Sequence, residues 1–214
     1  MDYGCIGEKL SHSFSKEIHN ALADYDYQLL ELKREELKAF FTERSFKSIN
    51  VTIPYKTTVI PYLDYIDDTA KKIGAVNTIV NDNGILKGYN TDFLGLKLML
   101  EKSGIDFKGK NFLILGDGAT SKTAVAVAES FLAKSVMRVS RKGTSGTVSY
   151  SEAEALSDTQ IIINTTPVGM FPAAQTFGGT LRFDSAAMAV CAARAFFCWL
   201  LTMRFFPRVA PRRA

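Results

Sequence analysis

The chain has 214 residues, 47% of them hydrophobic, with 26 basic and 22 acidic side chains. This length and composition suit two compact α/β lobes with adequate cores and exclude a disordered chain. Residues 1–172 hold 20 basic and 21 acidic side chains, so the whole basic excess falls in residues 173–214, and we expect no nucleic-acid partner.

Cysteine usage and hydropathy bound the cellular setting. Three cysteines without close spacing indicate neither a disulfide framework nor a zinc site, and no secretory leader pattern is visible, so we expect a cytoplasmic protein without a metal. Residues 186–203 are largely apolar, with Arg194 as their only charged side chain. A central arginine is costly in a bilayer, so we expect no membrane attachment.

The chain begins with a predicted strand at 3–6, a polar turn and a helix whose apolar face includes Ile18, Leu22 and Tyr25. The turn carries Ser13 and Ser15 at the carboxyl end of the strand, where open α/β sheets bind ligands. Ser15 is also the expected N-cap of the helix, a role that does not exclude ligand binding. Ser13 has no such structural role in this reading.

The next predicted elements are a strand at 28–32 and a helix at 34–43. The strand that follows, over 48–53, alternates apolar and polar residues. Asn50 and Thr52 share its polar face, and Pro54 forbids a further ladder bond. The strand therefore stops and presents Lys56. A lysine after a strand is commonly a solvated charge, but the polar face beside it favours a functional one.

Two further strands, at 75–81 and 85–89, flank Asn83-Gly84, a dipeptide typical of tight hairpins. Asn77 lies in the first of them, either on a half-solvated sheet or as an amide that holds hydroxyl groups of a small ligand. The helix that follows is apolar on most sides and is expected to be buried between layers.

The start of this helix carries Asp92 in the first turn, with Asn90 or Thr91 as cap. The unpaired backbone N–H groups there favour a carboxylate. Asp92 either only complements the helix dipole or takes part in an active site. Its place in the first helical turn is compatible with both roles.

The second lobe opens with an apolar strand at 111–115, a glycine turn and an Ala/Val-rich helix, which is the phosphate-binding start of a βαβ unit. Gly116 would allow the tight turn and Gly118 the approach of a diphosphate. The next strand, at 135–139, ends in a basic loop. An acidic residue at this place typically binds the ribose of NAD, whereas basic residues suit the additional phosphate of NADP, so the sequence favours NADP. A third strand at 159–164 ends at two threonines.

Four motifs together resemble the shikimate dehydrogenase family, in the order of that family: Ser-His-Ser-x-Ser at 11–15, Asn-Val-Thr-x-Pro-x-Lys at 50–56, Gly-Ala-Val-Asn-Thr at 74–78 and Asn-Thr-Asp-x-x-Gly at 90–95. The resemblance runs from about residue 3 to residue 170. It implies a substrate lobe in which Lys56 and Asp92 are the catalytic pair. The substrate would be bound by Ser13, Ser15, Thr52, Asn77 and Asp92.

The same resemblance implies an NADP-binding lobe and a small-molecule substrate. The cofactor would be bound by Gly116, Asp117, Gly118, Ala119, Thr120, Ser121, Ser140, Arg141, Lys142 and Thr166. The implied reaction is the reversible NADP-dependent reduction of 3-dehydroshikimate to shikimate in aromatic amino acid biosynthesis. The alternatives are a quinate/shikimate dehydrogenase that uses NAD, or a substrate- and nucleotide-binding protein of low activity.

We therefore predict an α/β protein: a substrate and catalytic lobe with a mixed sheet at 1–100, and a partial Rossmann-like NADP lobe at 101–172. Residues 173–214 change character, with no lysine and 6 arginines against 16 lysines and 4 arginines before them. We expect this tail to contribute little to the fold, which leaves the second lobe incomplete at its C-terminal end. A monomer or a homodimer is expected.

Overall fold

The computed structural model of the protein describes residues 1–11, 13–141, 143 and 146–166, together with the backbone of 188–191. The chain divides into two compact units, of which the first includes Met1–Gly95 and the second begins at Leu96. The division falls inside a helix, close to the predicted boundary at residue 100. Among the described residues, none of the helices combines the length and the apolar character needed to span a membrane.

The first unit is a six-stranded mixed sheet, as predicted, with strand order β2-β1-β3-β5-β6-β4. Strands β1, β2 and β3 are parallel, β5 is antiparallel to both β3 and β6, and β4 is parallel to β6. Its strands and helices are β1 (Tyr3–Gly7), α1 (Ser15–Leu22), β2 (Tyr27–Glu31), α2 (Leu37–Glu43), β3 (Ser48–Val51), β4 (Tyr65–Ile66), α3 (Asp68–Ile73), β5 (Thr78–Asp82), β6 (Ile85–Tyr89) and the first turn of α4 (Thr91–Lys102), the helix in which the two units divide.

Alternating apolar residues of the central strands build the core of this unit. Ile49 and Val51 of β3 pack with Ile6 and Ile79, all at most 1% exposed. Period-two alternation places one face of each strand in the core. The Asn83-Gly84 turn between β5 and β6 has φ angles of 53° and 90°, as a two-residue hairpin requires.

The first unit departs from the sequence prediction at several points. Helix α1 ends at Leu22, so Tyr25 lies beyond it. The predicted strand at 75–81 begins only at Thr78, which leaves Asn77 just before β5. Leu94 and Leu98 of α4 are 38% and 41% exposed, so the expectation that this helix is buried between layers does not hold at these two residues.

The second unit has a parallel four-stranded sheet of order β10-β9-β7-β8, which confirms the Rossmann-like prediction. Its elements are β7 (Asn111–Leu115), α5 (Ala119–Ser130), β8 (Ser135–Val139), α6 (Tyr150–Glu154), β9 (Ile161–Asn164) and β10 (Met188–Cys191). The apolar strand β7 lies between β8 and β9 and is buried along its whole length.

Strand β10 comes from the compositionally distinct tail. It pairs with β9 in parallel along four residues and covers that edge of the sheet. This pairing was not predicted from the sequence, and the expectation that residues 173–214 contribute little to the fold stays a prediction. The remainder of the tail lies outside the described residues.

Candidate functional site

The candidate catalytic residues of the first unit lie at a single edge of its sheet. Parallel strands β1 and β3 both end there, followed respectively by the serine turn and by Thr52 and Lys56. Strand β5 runs the other way, so its first residue Thr78 lies opposite Asn50. Strand β6 then returns to the same edge and leads into α4. The topology thus gathers all four motifs of the predicted substrate lobe.

Lys56 and Asp92 form an ion pair at this edge. The Lys56 ammonium donates to Asp92 Oδ2 at 2.5 Å, and the two side chains are 12% and 15% exposed. An ion pair this far from bulk water is electrostatically stronger than a surface pair. The Lys56 carbonyl oxygen also accepts from the N–H of Val76 at 2.7 Å, which fixes the lysine backbone. The structure brings together the two residues predicted as catalytic.

Asn90 holds the start of α4, as predicted. Its amide oxygen accepts from the N–H of Phe93 at 3.1 Å, and its amide nitrogen donates to the carbonyl oxygen of Ala75 at 2.9 Å. Such a bond satisfies a backbone donor in the first helical turn. Asp92 is thereby held at a defined position beside Lys56.

Asn77 is fully buried, with 0% exposure. Its amide oxygen accepts from the backbone N–H of Thr91 at 2.8 Å, and its amide nitrogen donates to Thr91 Oγ1 at 3.0 Å. This excludes the first of the two alternatives for Asn77, an exposed position on a half-solvated sheet. Its predicted contact with substrate stays a prediction, and the amide has the additional task of anchoring the helix that carries Asp92.

A buried hydrogen-bond network extends from this amide beneath the sheet edge. Thr78 Oγ1 donates to Asn77 Oδ1 at 3.2 Å, and Asn50 Nδ2 donates to Thr78 Oγ1 at 3.3 Å. Tyr27 OH in turn donates to Asn50 Oδ1 at 2.6 Å. Buried polar groups of this kind rigidify a site when each is bonded. The sequence alone assigned no role to Tyr27 or Thr78, because both contacts depend on how the strands are arranged in the sheet.

The serine turn differs from its prediction. The N-cap position of α1 is Phe14, and Ser15 is the first helical residue. Ser13 instead uses its hydroxyl twice: it accepts from the N–H of Ser15 at 3.3 Å and donates to Ser15 Oγ at 3.1 Å. Ser13 therefore does have a local structural role, in the turn before α1, and both serines are half-buried.

Thr52 lies immediately after β3 and is half-buried. Its N–H donates to the carbonyl oxygen of Ile6 at 3.0 Å. Its methyl group also lies against Gly7, because a Cβ at that glycine would come within 2.8 Å of Thr52 Cγ2. Thr52 therefore faces the end of β1, the strand that leads to the serine turn.

Two buried titratable groups near this network are inert near neutral pH. Burial raises the pKa of the Cys5 thiol to about 12, against the opposing charge of Lys56, so the thiol stays protonated. Burial lowers the pKa of His19 to about 4. The His19 ring stacks on Tyr27 with centroids 3.8 Å apart, and its Nδ1 lies 2.5 Å from Tyr25 OH. Both side chains support the fold in their neutral form.

The second unit contains the predicted cofactor turn between β7 and α5. Gly116 has φ 115°, and a Cβ there would lie 2.6 Å from Thr165 Oγ1, so only glycine fits. Gly118 precedes the first residue of α5, and a Cβ added at Gly118 would have no described atom within 4 Å of it. The turn therefore leaves open space at a helix N-terminus, as a diphosphate requires.

The hydroxyl of Ser121, in the first turn of α5, is buried and makes no hydrogen bond within the described part of the chain. An unsatisfied buried hydroxyl is costly and is common at ligand sites. Together with the open space at Gly118, this supports the fit of a dinucleotide. Ala119 and Thr120, between them, are half-buried.

The remaining predicted cofactor residues lie in loops at the ends of β8 and β9. Ser140 holds its own loop, since its hydroxyl accepts from the N–H of Gly143 at 3.1 Å and lies 2.8 Å from Thr147 Oγ1. Arg141 is exposed, and Lys142 lies outside the described residues. Thr166 donates through its hydroxyl to Asn164 Oδ1 at 2.7 Å, so a side-chain hydrogen bond holds the turn that follows β9.

Comparison with known proteins gives concordant matches. Residues 5–79 match the family model described as the shikimate dehydrogenase substrate binding domain. The shikimate dehydrogenase (NADP(+)) of Clostridium beijerinckii is 40% identical over 186 residues, with 79% of this chain and 69% of that protein covered.

Solved structures agree with the sequence matches. Shikimate dehydrogenase of Aquifex aeolicus superposes with a TM-score of 0.77 at 36% identity, over 88% of this chain and 77% of the other. The enzyme of Thermus thermophilus, solved in complex with NADP(H) and shikimate, gives a TM-score of 0.77 at 26% identity, over 89% and 78% of the two chains.

Proposed function

The chain belongs to the shikimate dehydrogenase family, and we propose that it catalyses the reversible, NADP-dependent reduction of 3-dehydroshikimate to shikimate in aromatic amino acid biosynthesis. The observation that carries this proposal is the ion pair between Lys56 and Asp92, 2.5 Å long and largely shielded from water. The pair lies at the sheet edge where all four family motifs meet.

The chemistry needs a hydride and a proton at one carbonyl group. NADPH, when bound, supplies the hydride. The Lys56 ammonium polarises the carbonyl oxygen and donates its proton to it as the alcohol forms; in the reverse direction the neutral amine accepts that proton. Asp92 orients the ammonium through their 2.5 Å bond, and a carboxylate is an acceptor that suits a ring hydroxyl.

Binding of the substrate ring is proposed for Ser13, Ser15, Thr52 and Asn77. The three hydroxyl side chains are half-buried and follow β1 and β3 at the shared edge. Hydroxyl groups can donate and accept, which suits a ligand with several hydroxyls and a carboxylate. Asn77 acts in part through Thr91, whose backbone N–H and hydroxyl it holds.

The glycine turn is proposed to hold the cofactor diphosphate. Gly116 shapes the turn, Gly118 leaves the open space, and the buried Ser121 hydroxyl has hydrogen-bonding capacity to spare. The basic loop that begins at Ser140 supplies Arg141 for the additional phosphate of NADP. We propose a cytoplasmic protein, a setting in keeping with the buried free thiol of Cys5. Assembly as a monomer or homodimer stays a prediction.

Steady-state kinetics tests this function. Purified protein is assayed for oxidation of shikimate and of quinate, each with NADP+ and with NAD+. We expect the highest kcat/KM for shikimate with NADP+. A higher kcat/KM with NAD+ would contradict the cofactor assignment, and a preference for quinate would contradict the substrate assignment. Binding of shikimate and NADP+ without turnover would instead identify a binding protein.

A further inference from the structure

An ion pair joins the cofactor turn to the neighbouring strand of the second unit. Asp117 lies between the two glycines of the turn, and Arg138 is the fourth residue of β8. Arg138 Nη1 donates to Asp117 Oδ1 at 2.5 Å. The two side chains are 26% and 39% exposed, so the ion pair is partly shielded from solvent.

A second contact holds the guanidinium in place. Arg138 Nη2 donates to the carbonyl oxygen of Gly146 at 3.3 Å. The backbone of Arg138 also accepts from the N–H of Val148 at 2.8 Å. Arg138 thereby links the turn after β7 to the loop that follows β8. Its positive charge lies beside the Asp117 carboxylate.

The location gives this pair a consequence for phosphate binding. In dinucleotide-binding βαβ units the diphosphate lies on the N-terminus of the first helix, and the adenosine ribose lies at the end of the second strand. In this chain those places are the start of α5 and the end of β8, and Asp117 lies between them. A carboxylate there, left without its partner, would repel both the diphosphate and the extra phosphate of NADP.

We propose that Arg138 is a positioning residue for cofactor selectivity, which neutralises Asp117 and so allows the turn to accept NADP in preference to NAD. The inference rests on the proposed function only in taking NADP as the cofactor. NADP carries one phosphate more than NAD, on the adenosine ribose, so an unpaired Asp117 penalises NADP more strongly. Arg138 acts through Asp117 and does not need to touch the cofactor.

The test is equilibrium binding of NADP+ and of NAD+, measured by calorimetry without substrate, so that no turnover is required. The variants are Arg138→Gln, Asp117→Asn and the double variant. We expect Arg138→Gln to weaken NADP+ binding about 10-fold or more and NAD+ binding less than about 3-fold. In the double variant, which has lost both charges, NADP+ affinity returns to within about 3-fold of the wild type.

A matched control comes from the first unit. Arg44 and Asp64 form a similarly exposed ion pair with a distance of 2.7 Å, and Arg44→Gln is expected to leave both affinities unchanged.

Equal losses of NADP+ and NAD+ binding in Arg138→Gln would overturn the proposal, as would a double variant that binds NADP+ as weakly as Arg138→Gln alone. Asp117→Asn is the reference for the double variant: if adding Arg138→Gln to it lowers NADP+ affinity about 10-fold, Arg138 acts independently of Asp117 and the proposal is overturned. A wild-type protein that binds NADP+ but does not oxidise shikimate would contradict the proposed function alone.

Discussion

Acidification is expected to destabilise this protein through His19. The ring is 1% exposed, stacked on Tyr27, and its folded-state pKa of about 4 lies below the usual 6.5 because burial disfavours the charged form. As the pH falls below 6.5 the unfolded chain binds a proton that the folded protein does not. The contribution of His19 to stability is therefore complete above that pH and is lost as the pH falls towards 4.

The magnitude follows from the two pKa values. Between about pH 7.5 and about pH 5, the difference in proton binding amounts to a loss of about 2 kcal/mol in the free energy of unfolding. Urea unfolding followed by far-UV circular dichroism at both pH values measures it. Other groups titrate over the same range, so the decisive quantity is the difference between wild type and a variant that lacks this ring.

His19→Gln is expected to remove about 2 kcal/mol of that pH dependence, whatever its effect at neutral pH. His12→Gln, which removes the only other histidine, serves as the control for loss of an imidazole. A His19→Gln variant that retains the full pH dependence of the wild type would refute the assignment of a desolvated, neutral His19.

Three further changes test the fold and the cofactor turn. Tyr27→Phe leaves Asn50 Oδ1 without its 2.6 Å donor and should lower the free energy of unfolding by about 1–3 kcal/mol. The control, Tyr65→Phe, changes a tyrosine that is 49% exposed and should have little effect, so equal urea midpoints for the two variants would contradict this prediction. Gly116→Ala should lower the melting temperature, because the φ of 115° and the nearby Thr165 exclude a Cβ at this position. Gly118→Ala should keep the melting temperature but weaken NADP+ binding, and the opposite pattern for the two variants would contradict the account of the turn. Deletion of residues 173–214 removes β10 from the edge of β9 and should reduce the protection of β9 amides from hydrogen exchange; unchanged protection would show that β10 does not stabilise the sheet.

Local patterns predicted the elements that depend on few neighbours. The alternation along β3, the Asn83-Gly84 hairpin and the glycine turn at Gly116 each reflect a backbone requirement within a few residues. The pairing of Lys56 with Asp92 followed from the family resemblance, and the structure places them in contact. Sequence alone did not predict β10, because its residues lie in a tail of unusual composition.

The buried network could not be predicted, because it depends on register across the sheet. Asn50 meets Thr78 only because β3 and β5 pair antiparallel with these residues opposite each other. Tyr27 reaches Asn50 from β2, two strands away. Helix α6 did have a local signal that was overlooked, the capping box formed by Ser149 and Glu152.

The most direct test of the central claim is the turnover number of Lys56→Ala with shikimate and NADP+. Loss of general acid–base help should lower kcat about 10²-fold or more, while Thr52→Ala should mainly raise KM for shikimate. Lys87→Ala is the matched control, because Lys87 and Asp82 form a 2.6 Å ion pair with 32% and 49% exposure on the hairpin. We predict wild-type kcat for Lys87→Ala. A Lys56→Ala enzyme with near wild-type kcat would contradict the assignment of Lys56 to the chemical step.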